Sequence, residues 1–259
     1  MEHHFLIQSF VAGIIASIAC GLGALPLLIP GIQIEKRVGL CYGFAGGLMV
    51  SASVYNLILP GLTLGTHTAS LQQVLLVIVG IFLGAGFLWR VDKFLDPERM
   101  KNSYLRKIGG RREILIFTAM AFHSMPEGVA VGVGYATSQH ISGIENLGNY
   151  IAIAIAIHNI PEGLAVSIPM RANGASIGRC FIAAFLTSLP QPLAAVPAAL
   201  LVWVFEPLMV PLLGFAAGAM LFLVIMEIIP DALEDRKPVE IAWAFIIGFT
   251  LMIFVQVVI

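Results

Sequence analysis

Charge is what this sequence has least of. Its 259 residues include 14 Lys and Arg and 15 Asp and Glu, 11% in all, where a soluble domain carries about a quarter. The set AVILMFWYC supplies 59% of the chain, and mean hydropathy is +0.94. A chain this short cannot hide so much apolar surface in one water-facing core. A soluble enzyme is excluded, and so is a disordered or collagen-like chain. Cysteine is nearly absent too. Cys20, Cys41 and Cys180 are far apart and form no C-x-x-C, which excludes a disulfide scaffold and a Cys-rich zinc site. A formal net charge of −1 offers nucleic acid no basic surface. The N-terminal MEHHFLIQSF lacks the positive n-region of a signal peptide and runs into an apolar segment, read here as a retained first span.

Long apolar runs fill the rest. A helix needs about 20 mostly apolar residues to cross a bilayer. Charges and turn residues then mark eight spans, at roughly 5–29, 39–61, 72–90, 113–137, 148–169, 177–203, 208–230 and 240–259. The expectation is an all-α polytopic membrane protein, a single transmembrane domain over 1–259, with one sizeable polar linker at about 92–112. The loops after spans 1, 3, 5 and 7 hold every Lys and Arg, from Lys36 and Arg37 to Arg236 and Lys237. All lie on one side in this arrangement. That side is cytoplasmic by the positive-inside rule, which places both termini outside.

Four ionisable residues break the apolar pattern, and they repeat. Span 4 reads AFHSMPEGVAVGVGY and span 5 reads IAIHNIPEGLAVSIPM. Each contains His-x-x-Pro-Glu-Gly: His123 and Glu127, then His158 and Glu162. A carboxylate at mid-bilayer costs about 3 kcal/mol or more, so such residues are functional candidates by default. Residues i and i+4 share a helix face. At about 1.5 Å per residue, His123 lies about 15 Å and His158 about 14 Å into their spans, mid-membrane for both. Because the spans are antiparallel, His123 comes level with Glu162 and Glu127 with His158. Two imidazoles and two carboxylates from facing helices form a metal site. Such a set suits Zn²⁺ or Fe²⁺ and accepts Mn²⁺, Co²⁺ or Cd²⁺, with protons competing for the same ligands. For a lone His–Glu pair a structural hydrogen bond is the better reading; duplication at equal depth reverses that preference.

The two motifs, the eight spans and the outside termini together resemble the ZIP (Zrt-/Irt-like) family of divalent metal transporters, with a compact layout similar to its bacterial branches. The resemblance covers essentially the whole chain. It implies inverted repeats, spans 1–3 and 6–8, around the span 4–5 pair, and alternating access within a homodimer in a plasma membrane, here a bacterial inner membrane. It carries the primary metal site onto His123, Glu127, His158 and Glu162, and a further ligand position onto Met49, for which core packing is the competing reading. Many members add a second site. Here Asn159 fits that pattern, whereas Ser124 and Gln191 depart from it, Gln191 replacing a carboxylate with an amide. One strong site is expected, with Ser124, Asn159 and Gln191 as polar neighbours. Glu227, one turn before Pro230, takes a place on the cytoplasmic pathway by the same likeness.

The implied function is uptake of a divalent transition metal, zinc foremost, as cargo rather than catalytic cofactor. A membrane-embedded metalloenzyme is the rival. H-E-x-x-H is absent, and no base remains near the site beyond the ligands themselves.

Overall fold

The computed structural model describes residues 4–29, 37–63, 70–94, 111–140, 147–172 and 174–258. Most of the linker expected at 92–112, and most of the turn between spans 2 and 3, lie outside the described residues. Among those described, eight helical rods follow one another. They are α1 (His4–Leu22), α2 (Val38–Ala52, continued to Thr63), α3 (Leu71–Phe94), α4 (Arg111–His140), α5 (Leu147–Ala172), α6 (Ile177–Ser188 and Pro190–Leu200), α7 (Met209–Leu223, continued to Asp235) and α8 (Pro238–Val258).

Seven of these rods are long and apolar enough to cross a membrane. The eighth, α4, is a 30-residue helix that carries the first motif. Several rods outrun their expected limits. α3 continues to Phe94 rather than ending at 90. There the Lys93 ammonium lies over the Trp89 ring, 4.0 Å from its centroid, a cation–π contact at the end of the helix. α7 passes Pro230 and ends only at Asp235, since that proline stands in the first turn of its last segment, where a missing N–H costs little.

Packing decides which helices are outside. Phe82 on α3 and Trp243 and Phe254 on α8 point away from the protein, an apolar surface that only lipid covers without penalty. α3 lies along α7, and α8 along α2. Both contacts close because small residues meet backbone. A Cβ on Gly47 or Gly248 would strike the carbonyl of Phe245 or Phe44, and one on Gly84 or Gly218 would strike that of Phe215 or Ile81. Small residues let membrane helices approach without a hydrophobic drive between them. Inside, α4 packs on α6, α5 on α1, and α4 and α5 on each other.

These contacts repeat under one exchange: α1 with α6, α2 with α7, α3 with α8, and α4 with α5. The α2–α5 contact then corresponds to α7–α4, and both occur. The backbone follows the same rule. α2 contains a π-helical stretch at Ser53–Ile58 and α7 one at Val224–Ile228, each four residues after the methionine of GFAGGLM (43–49) or GFAAGAM (214–220). Two related halves thus flank the α4–α5 pair. Inverted repeats of this kind place a site at their interface, near the bilayer midplane.

Candidate metal centre

α4 and α5 run unbroken through Pro126 and Pro161 and set both motifs against each other. His123, Glu127 and Glu162 are each 1% exposed and His158 2%. His123 Nε2 lies 2.9 Å from Glu162 Oε1 and 3.0 Å from Glu127 Oε1. His158 Nε2 lies 2.7 Å from Glu127 Oε1 and 3.8 Å from Glu162 Oε1. One donor atom from each of the four falls within 4.8 Å of all the others, a span that one ion fits.

The far ring nitrogens set the tautomer. His123 Nδ1 faces the Ala216 carbonyl on α7 at 3.3 Å, and His158 Nδ1 faces that of Ala154 at 3.2 Å. A carbonyl only accepts, so each Nδ1 carries the proton and each Nε2 turns into the site. Such backbone anchors orient imidazole ligands. With each Nδ1 protonated, a hydrogen bond from Nε2 to a carboxylate requires a second ring proton on each imidazole, two in all, which a cation would have to displace.

The remaining residues singled out from the sequence divide. Gln191, fully buried, donates from Nε2 to Glu127 Oε2. Asn159, also fully buried, donates from Nδ2 to Gln191 Oε1 and to the Ala16 carbonyl, at 3.0 Å each. Both therefore join the site. Ser124 does not: its hydroxyl turns back to the Met120 carbonyl, 2.9 Å away on its own helix. Met49 is 1% exposed and belongs to the apolar core cluster with Met120, Met220 and Leu223. Glu227 is buried in the π-helical turn of α7, outside the four-residue group.

Sequence reasoning missed what α1 contributes. Ala12, Gly13, Ala16, Ser17, Ala19 and Cys20 are all buried, a small-residue face at helical spacing that was the available signal. Ser17 donates to the Ser188 carbonyl at 2.9 Å, an acceptor left without its helical partner because Pro192 has no N–H. The glycine of each motif seats a neighbour. A Cβ on Gly128 would meet the Gln191 carbonyl on α6, and one on Gly163 the Cys20 carbonyl on α1.

Residues 98–256 match the family model described as ZIP zinc transporter. Zinc transporter GufA of Myxococcus xanthus is 33% identical over 93% of this chain and 96% of its own length. Zinc transporter ZIPB of Bordetella bronchiseptica is 32% identical over 92% of this chain and 77% of its own. A putative zinc transporter of Arabidopsis thaliana is 35% identical over 90% of this chain, which spans only 36% of that longer protein. With its helical rods, repeated motif and buried histidine–carboxylate cluster accounted for together, the chain is a multi-pass membrane protein belonging to the ZIP zinc transporter family.

Proposed function

We propose that His123, Glu127, His158 and Glu162 hold one divalent transition-metal ion as transported cargo, Zn²⁺ foremost, and that the chain carries it into the cytoplasm by alternating access. The observation that carries this reading is the convergence of four donor atoms within 4.8 Å from two facing helices. Two nitrogen and two oxygen donors match the tetrahedral preference of zinc. The two carboxylates balance the ion's charge, which removes much of the cost of taking it out of water. Fe²⁺, Mn²⁺, Co²⁺ and Cd²⁺ are competing cargoes for a mixed donor set.

The reading treats 1–259 as one transporter domain in a plasma membrane, a bacterial inner membrane by its compact layout, with both termini outside. The one-sided Lys and Arg distribution supports that orientation. A homodimer is part of the proposal by family likeness. Membership in a transporter family sets aside the embedded metalloenzyme.

Sealed proteoliposomes test it. Metal-dependent accumulation of Zn²⁺, abolished by His158→Ala or Glu162→Ala, is the expected result. Hydrolysis or oxidation without flux, or flux unchanged in both variants, overturns it.

A further inference from the structure

Glu127 and Glu162 hold the same place in the same motif, yet their outer oxygens differ. Glu127 Oε2 accepts from Gln191 Nε2, whereas Glu162 Oε2 is buried with no hydrogen-bond partner among the described residues. Behind Glu127 two amides pair. Asn159 Nδ2 donates to the Ala16 carbonyl and to Gln191 Oε1, and Gln191 Nε2 donates to Glu127 Oε2 and, at 3.4 Å, to Asn159 Oδ1. Both ends are fixed. An ionised carboxylate and a backbone carbonyl only accept, so neither amide gains by flipping. The arrangement is also built into the backbone. α6 restarts at Pro190 immediately before Gln191, and Gly128 lets the Gln191 backbone sit directly on α4.

Glu127 therefore meets an ion with Oε2 already engaged and only Oε1 directed at the two imidazoles. Turning both oxygens inward would break a charge-assisted hydrogen bond and leave a buried amide without its acceptor. That penalty is larger than the bond's own net worth. It falls only on ions that need more than four or five donors.

We propose that Gln191 is a specificity-determining positioning residue, which by holding Glu127 Oε2 keeps Glu127 a one-oxygen ligand and favours tetrahedral Zn²⁺ over Mn²⁺. Mn²⁺ prefers an octahedral, oxygen-rich shell. Four donors from the motifs, plus the second oxygen of Glu162, fall short of six. The inference rests on the metal-site reading above and deepens it by naming what selects the ion.

The test uses the purified full-length chain in detergent, with Gln191→Met and Gln191→Leu, which keep apolar bulk and remove the donor. Zn²⁺ and Mn²⁺ are titrated in competition, and X-ray absorption counts the light atoms around bound zinc. The wild type is expected to prefer zinc with four N/O neighbours. In both variants the preference narrows by about tenfold, in keeping with a lost hydrogen bond to a charged group, and an additional oxygen neighbour joins the zinc. A purely structural role lowers both affinities together. An unchanged zinc-to-manganese ratio with an unchanged coordination number, in variants that still bind zinc, overturns the proposal. Wild-type protein that binds no zinc through the four motif residues overturns the metal-site reading itself, a separate and recognisable failure.

Discussion

The α4 and α5 copies of His-x-x-Pro-Glu-Gly are alike in sequence and unlike in surroundings. Each glycine admits a neighbouring carbonyl, Gln191 on α6 for one and Cys20 on α1 for the other. The residue so admitted decides the rest. Gln191 reaches over to Glu127, while the Cys20 thiol turns to Thr187 Oγ1 at 3.8 Å. Two carboxylates at the same motif position thus differ in how many of their oxygens are held by hydrogen bonds. A repeated motif brings symmetry of position but not of chemistry, because its neighbours come from parts of the chain that have diverged.

The largest expected effect tests what the two copies share. Glu127→Ala and Glu162→Ala each remove one of two negative charges and one donor, more than an outer-shell change worth about 10–100-fold. Zinc binding by titration should fall at least that far, and equally, in both variants. A strong loss in one alone would mean that the site is not a shared cage. The second effect concerns the protons on the two Nε2–Oε1 contacts. Zinc must displace them, so affinity should fall as pH falls, by up to about tenfold per unit for each proton released. Calorimetry in buffers of differing ionisation heat should count about two protons, and a flat response between about pH 5 and 8 would contradict this geometry.

Smaller effects sharpen the difference between the copies. Gly128→Val and Gly163→Val both force a side chain into a backbone carbonyl and should each cost about 1–3 kcal/mol in thermal unfolding in detergent. Their effects on binding should diverge, with only Gly128→Val, which displaces Gln191, altering the metal preference. Asn159→Ala removes the donor to Gln191 Oε1 and should weaken zinc binding by roughly tenfold or less, a neutral hydrogen bond's worth. Cys20→Ala should do least, since its thiol is directed at Thr187. A larger loss there than for Asn159→Ala would reverse the asymmetry.

Much of the fold was legible because lipid imposes a simple rule, apolar runs of bilayer length bounded by charge. The four histidine and glutamate positions were legible for the same reason, since charge inside such a run stands out. Met49 was harder: a thioether at a ligand position and one in a core look alike in sequence, and it lies in the core cluster with Met120 and Met220. The π-helical turns of α2 and α7 have no propensity signal. The GFAGGLM and GFAAGAM segments that precede them form a readable repeat.

From the sequence alone came the number of rods, the chemistry of the donors and the level at which they meet, all properties of local pattern and helical rise. Tertiary structure alone decided that Glu127 is held by a side chain 64 residues away while Glu162 Oε2 has no hydrogen-bond partner among the described residues. Helical periodicity relates residues three or four apart. What α6 and α1 bring to the motif glycines depends on how separate helices pack, and no local period records that.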